Sequence, residues 1–388
     1  MWEFTTPRTI VTGEDSLEYL RVVEGKRALI VTDKVIHGLG FVEKVARYLK
    51  EAGMKVGVFD EVEPEPSIET VVKGAAVAKE YCPDWFVALG GGSCQDAAKA
   101  IWVLYERPDI KVGEISPLIK LGLRKKARLI SIPTTSGTGS EVTWAIVITD
   151  VKEKRKMELA SKESTADISI LDPGFAFSMP PRLKADSGLD ALTHAIEAYV
   201  SQWRNDFSDA LAMKAIETVF EYLPKSYRNP GDKEAREKMH YAATMAGLAF
   251  SNSQIGTAHA MGHSLGALFN VPHGRTVAVV LPYAIEYSAR EAMNRYADIA
   301  RVIGIKSESD QKAVEELIVA VRRLLKEVEE PESIADIGIS WEEYENELDE
   351  LVQRAMESTA TIANPRVPTV EEYRKLFIHV FKGEEVNF

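Results

Sequence analysis

A chain of 388 residues, 45% hydrophobic and 27% charged, can bury large cores and favours two domains over one. Its formal net charge of −12 argues against a nucleic-acid or anionic-lipid surface, which needs clustered Lys and Arg. No stretch reads as a leader peptide or approaches the roughly 20 apolar residues that span a bilayer, so the expectation is a soluble, cytoplasmic protein acting on small molecules.

The first half alternates strand-like and helix-like runs: RALIVTD at 27–33, FVEKVARYLKEAG, KVGVFD at 55–60, SIETVVKGAAVAKEY, then WFVALGGGS at 85–93. Continuous Val/Ile/Leu-rich strands joined by helices of this length imply a parallel α/β sheet covered on both faces. Asp33 closes the first of these strands, where a carboxylate either accepts hydrogen bonds from ribose hydroxyls, favouring NAD over NADP, or caps the following turn. Cys82 and Cys94 are too few for a disulfide framework and lack metal-finger spacing, which suits a reducing compartment.

GGGSCQDAAKAI, residues 90–101, ends a buried strand in three glycines and a serine that open a helix. It is neither a GxGxxG nor a P-loop, and it reads either as an anion-binding turn or as a tight connection. RLISIP at 128–133 leads into TTSGTGSE at 134–141, a hydroxyl-rich loop where open α/β sheets bind ligands. VTWAIVITD at 142–150 and DISILDP at 167–173 read as strands either side of the charged turn VKEKRKME, a hairpin tip that contains Lys156.

Beyond SMPPRLKAD the pattern is helical, with Pro181 suited to a first helical turn, so the domain boundary falls near residue 178. Amphipathic periodicity is clear in LDALTHAIEAYVSQW, SDALAMKAIETVFEYL, REKMHYAATMAGLAF, DQKAVEELIVAVRRLLKEVEE and SWEEYENELDELVQRAM. The ending GEEVNF reads as a solvated tail.

Two stretches in this half carry chemistry. Asp190 and His194 are four apart and share a helix face within an apolar run, where an unpartnered carboxylate is costly. His259 and His263 repeat that spacing, and His273 follows a helix end at Val-Pro. These five groups are metal-ligand types, but a catalytic site must keep a position open for substrate, so spacing alone leaves one too many.

GGGSCQDAAKAI, TTSGTGSE, LDPGFAFSMPP, GLDALTHAIEAYVS and HAMGHSLGALFNVPHG, in this order over residues 90–274, together resemble the iron-containing alcohol dehydrogenase family, with VTDK and NPRVPT extending the likeness. The resemblance implies a dehydroquinate synthase-like architecture. Residues 1–178 form a Rossmann-like NAD(P)-binding α/β domain, residues 179–388 an all-helical metal-binding domain, and the metal lies in the cleft between them. It assigns the metal to Asp190, His194, His259 and His273 and places His263 beside the nicotinamide for proton relay or ordering. It assigns the pyrophosphate to Gly91, Gly92 and Ser93, cofactor hydroxyl contacts to Thr134, Thr135 and Thr138, ribose selection to Asp33, and further cofactor contacts to Asp96 and Lys156. Two departures stand out: Ala176 where a Thr is common, and Ala360 where many members have Cys, which points to an altered substrate pocket.

The implied activity is hydride transfer between a primary alcohol or small diol and NAD(P), with Fe²⁺ as the metal and Zn²⁺ an alternative for the same donors. Trp144, Phe207 and Phe250 are candidates for an apolar substrate pocket. A glycerol or polyol dehydrogenase, a cyclising lyase of the dehydroquinate synthase kind and a non-catalytic sensor are the alternatives; the lyase calls for a Lys/Arg cluster around the histidines, and none is visible. A homodimer is the usual form for such an enzyme.

Overall fold

The computed structural model describes residues 3–153 and 155–388. They form two compact units, one of Phe4–Met179 and one containing Pro180–Phe388.

The first unit runs β1 (Thr9–Thr12), β2 (Arg27–Val31), α1 (Lys34–Gly38), α2 (Phe41–Glu51), β3 (Lys55–Phe59), α3 (Ile68–Tyr81), β4 (Trp85–Gly90), α4 (Gly92–Glu106), β5 (Arg128–Pro133), β6 (Ala145–Asp150), β7 (Arg155–Ala160) and β8 (Ile168–Leu171). Six strands pair in parallel in the order β1-β8-β5-β4-β2-β3. Alternation along each strand feeds two cores. Phe86, Ala88 and Leu129 pack with residues of α4, while Trp85, Val87, Leu89 and Ile130 pack with residues of α2. The chain lays β3 on one side of β2 and β4 on the other, so the switch point of the sheet lies between β2 and β4. Ligands of open α/β sheets bind at the strand C-termini there. Asp33 follows β2, and the glycine turn follows β4.

The charged turn is shorter than its sequence suggests. β7 pairs antiparallel with β6, Lys156 opposite Thr149, so the charges of Arg155, Lys156 and Glu158 lie along a strand, and residues 151–153 form a turn, Lys154 being outside the described residues.

The second unit runs α5 (Pro181–Val200), α6 (Asp206–Arg228), α7 (Lys233–Ser251), α8 (Thr257–Phe269), α9 (His273–Val302), α10 (Asp310–Glu327), α11 (Trp341–Asn346), α12 (Leu348–Glu357), α13 (Thr359–Ala363) and α14 (Val370–Lys382). Pro181 starts α5, and Asn205, Asp232, Ser309, Ser340 and Thr369 cap the helices that follow them. α5 is buried on nearly every face, and alanines 191, 195, 198, 212, 215, 242 and 246 help form the core of α5, α6 and α7. Periodicity does not mark the 30-residue α9, because it is buried around much of its surface, contains Pro282 and is kinked at Ala292.

The C-terminal segment is not a solvated tail. Val386 is buried, its amide donates to Glu286, Arg366 donates to the Phe388 carbonyl, and the Phe388 ring lies 6.2 Å from that of Tyr287. Two apolar residues and a partnered backbone outweigh the acidic pair before them.

Candidate functional site

Each unit carries one constellation. In the α/β unit the glycine turn and the hydroxyl loop lie against each other. A Cβ on Gly91 would stand 3.2 Å from the Thr135 side chain, and one on Gly92 would stand 2.8 Å from that of Thr138. Gly90 adopts φ 147°, a conformation side chains resist, and its carbonyl accepts the Thr134 amide. This close approach leaves Gly91, Gly92, Ser93, Thr135 and Thr138 partly accessible at the N-terminus of α4, a 15-residue helix whose first amides favour an anion. Thr134 is buried.

Asp33 is the cap of α1, its Oδ1 accepting the Ile36 amide at 2.8 Å; its Oδ2 accepts the Cys94 thiol at 3.3 Å, and the residue stays partly accessible at the switch point. Asp96 turns inward. Its oxygens accept Ser140 Oγ and the Val147 amide, and Lys99, fully buried, donates to Ser140 Oγ, Thr143 Oγ1 and the Ala145 carbonyl at 2.9–3.2 Å. Burial pushes the Asp96 carboxyl up and the Lys99 ammonium down. This brace ties α4 to the hydroxyl loop and to β6. Lys156 pairs with Glu65 at 2.6 Å, and the Glu65 amide donates to Ser93 Oγ.

In the helical unit, three imidazoles converge on one oxygen. His273 Nε2, His259 Nε2 and His194 Nδ1 lie 3.4, 3.5 and 3.6 Å from Asp190 Oδ1. Asp190, His259 and His273 offer ligand atoms all within 4.8 Å of one another, while His194 stands beside this set, stacked between Phe250 at 4.2 Å and His259 at 4.3 Å. Asp190 is 2% exposed, and Asp190 Oδ1, His194 Nδ1 and His259 Nε2 have no hydrogen-bond partner. Such orphaned buried atoms are costly. The separations are too long for hydrogen bonds but match the edges of a tetrahedron about a cation, roughly 3.4 Å for bonds of about 2.1 Å. Asp190, His259 and His273 therefore fit a divalent metal, with His194 at the edge of the set.

The electrostatics divide the imidazoles. Burial pushes the His194 imidazole well down and takes His273 to about 4, so both are neutral and able to ligate. Burial would lower His259 as well, but Glu197 and Asp190 outweigh it and take that imidazole up to about 9. Burial acts to raise the Asp190 carboxyl, and the surrounding imidazoles overcome this and hold it well below its usual range. His263, partly accessible, has its ring 5.0 Å from that of His273 and 5.8 Å from that of His259.

Several contributors lie outside any recognisable motif. Gly274 lets the start of α9 touch α5, and Arg275 then pairs with Asp186 at 3.3 Å and Glu330 at 3.1 Å. Thr276 Oγ1 donates to the Gly262 carbonyl, tying α9 to α8. Glu197 and Asn364 hold the start of α8. Glu197 had a signal, standing seven residues after Asp190 and three after His194 on the same helix face. Of the aromatic candidates, Phe250 lies at the histidines, whereas Phe207 is 71% exposed in the first turn of α6. Ala360 is fully buried in the helical core with Ala258 and Tyr373.

Comparison with known proteins matches both halves. The family described as iron-containing alcohol dehydrogenase matches residues 7–173, and its C-terminal counterpart, the Fe-containing alcohol dehydrogenase family, matches residues 184–381. An NADPH-dependent butanol dehydrogenase of Clostridium saccharobutylicum is 45% identical over 100% of both chains. The aldehyde-alcohol dehydrogenase 2 of Entamoeba histolytica is 41% identical over 96% of this chain, which spans 46% of that longer protein. Among solved structures, an iron-containing alcohol dehydrogenase of Thermococcus thioreducens superposes with a TM-score of 0.90 at 36% identity, covering 99% of this chain and 100% of that one. A 1,3-propanediol oxidoreductase superposes with a TM-score of 0.92 at 33% identity, covering 98% and 100%.

Proposed function

This chain belongs to the iron-containing alcohol dehydrogenase family, and from that premise we propose that it interconverts a primary alcohol or small diol and its aldehyde with a nicotinamide cofactor. The observation that carries the proposal is the convergence of three imidazoles at 3.4–3.6 Å on the orphaned Asp190 Oδ1. The names of the butanol and 1,3-propanediol relatives support the substrate class, as does the Phe250 ring against His194. The cyclising lyase and the sensor give way to this reading.

Asp190, His194, His259 and His273 hold the divalent metal, for which iron follows from the family and Zn²⁺ suits the same donors. When bound, the metal supplies Lewis acidity toward the alcohol oxygen, and the cofactor supplies the hydride acceptor. Gly91, Gly92 and Ser93 hold the pyrophosphate with the first amides of α4, and Thr135 and Thr138 line it. Thr134, Asp96 and Lys156 set the shape of these loops from behind. His263 takes up the alcohol proton and passes it to solvent. His263→Ala should lower turnover about tenfold and alter its pH profile, water remaining as a slower carrier; an unchanged profile with full turnover removes this role.

Asp33 favours NAD, because a carboxylate at the C-terminal end of β2 repels a 2′-phosphate. Asp33→Gly should shift the ratio of kcat/KM for NADH over NADPH by about tenfold toward NADPH. A wild-type preference for NADPH, as in the name of the clostridial relative, overturns this assignment. Among the described residues no helix is long and apolar enough to cross a membrane, and both cysteines are free; we place the enzyme in a reducing cytoplasm, as a homodimer. The deciding experiment is anaerobic turnover of a primary-alcohol, diol and aldehyde panel on protein stripped of metal and reloaded with Fe²⁺ or Zn²⁺. Metal-dependent aldehyde reduction is the expected result, and silence across the panel with metal tightly held overturns the proposal.

A further inference from the structure

We propose that Glu197 is a positioning residue of the metal centre, fixing the tautomer and aim of His259; this rests on the metal reading above. Glu197 is 4% exposed on α5. Its two oxygens accept the Gly256 amide at 2.8 Å, the Ala258 amide at 2.6 Å and His259 Nδ1 at 2.6 Å. Two of these donors are backbone amides at the start of α8, which have no acceptor within their own helix. With both oxygens already accepting backbone amides, the carboxylate meets the ring as an acceptor, so the nitrogen facing it must carry the proton. With metal bound, His259 would therefore keep its proton on Nδ1 and offer the lone pair of Nε2. That is the nitrogen which faces Asp190 Oδ1 and has no hydrogen-bond partner.

The arrangement is built, not incidental. A Cβ on Gly256 would stand 2.6 Å from Asn364 Oδ1 and 3.0 Å from Glu197 Oε1, so the backbone comes close to both acceptors only as glycine. Asn364 Oδ1 accepts the Thr257 amide, leaving Glu197 free for the amides on either side and for the imidazole. One carboxylate thus couples the placement of α8 to the direction of a ligand lone pair, and brings a second negative charge to balance a divalent cation.

The test is Glu197→Gln in the full chain, stripped of metal and titrated with Co²⁺ and Zn²⁺ against a chromophoric chelator. A carboxamide must turn a donor toward one of the three N–H groups, so affinity should weaken by about 10- to 100-fold and the visible Co²⁺ spectrum should shift. Asn364→Ala removes a helix-start acceptor without touching His259 and should lower Tm while keeping metal affinity within about twofold. Unchanged affinity and spectrum in Glu197→Gln, or an equal loss in Asn364→Ala, overturns the proposal. Should Glu197→Gln fail to fold, ¹⁵N-histidine NMR of the Zn²⁺-loaded wild type decides: a proton on His259 Nδ1 is expected, and its absence refutes the assignment. Failure of the wild type to bind either metal sinks the metal reading itself, a separate outcome.

Discussion

Asp190→Asn is expected to lower alcohol oxidation by about 10³-fold or more, since Lewis-acid assistance contributes several kcal/mol and each 1.36 kcal/mol is a factor of ten. Asp190 Oδ1 is the atom on which the His194, His259 and His273 nitrogens converge, and the carboxylate is the anionic member of that set. An asparagine has nearly the same shape but no charge, and its NH₂ group is no ligand. A purely structural role predicts something different for stability. If Asp190 served the fold alone, metal would stabilise the variant as much as the wild type; as a ligand its loss should abolish that gain, whatever it costs the metal-free protein, whose imidazoles favour the charged carboxylate. Only the wild type should then gain from metal, by about 4 kcal/mol at a thousandfold excess over Kd. Metal analysis and thermal unfolding with and without Zn²⁺ read both effects. Full metal content and near-normal turnover in the variant would remove Asp190 from the ligand set.

Gly274→Ala should do comparable harm through packing. The added Cβ would lie 2.3 Å from the Asp186 carbonyl oxygen and 2.6 Å from its carbonyl carbon. These are backbone atoms of α5, four residues before Asp190, and Gly274 follows His273 directly. No side chain can rotate to make room, so α9 must move away from α5, carrying His273 Nε2 off Asp190. Overpacking of this kind typically costs about 1–3 kcal/mol. Added to it is the lost metal linkage, so metal affinity should fall about 100-fold or more. Gly38→Ala is the control, because nothing lies within 4 Å of its new Cβ and its φ is not positive; it should be neutral or slightly stabilising. Wild-type Tm and metal affinity in Gly274→Ala would show that the contact with Asp186 is not tight in solution.

Much of this protein was legible in its sequence, wherever the signal was local. The buried strands of the first unit are continuous apolar runs bounded by turn residues, and RALIV, WFVALG and RLISIP are observed as β2, β4 and β5. The helices with one apolar face were equally plain. The pairing of Asp190 with His194 needed nothing but the helical repeat. Where burial is all round, periodicity carries no contrast, and α9 went unmarked although it holds His273 in its first turn. Charge misled at both β7 and the C-terminal segment, because a strand edge and a chain end can bury apolar residues beside exposed acids.

What the sequence by itself determined is which metal-ligand types stand on the same helix face, Asp190 with His194 and His259 with His263, and the local elements that carry them, because spacing along a helix sets which side chains share a face. Only the tertiary structure decided that Asp190, His259 and His273 come together, that Glu197 meets the His259 ring, and that Asp96 and Lys99 both turn onto Ser140. The hydrogen bonds among those contacts join residues 41–62 positions apart, and others depend on glycines such as Gly274 that let two backbones touch. Distances of that kind are set by how helices and loops pack against one another, and no local repeat encodes them.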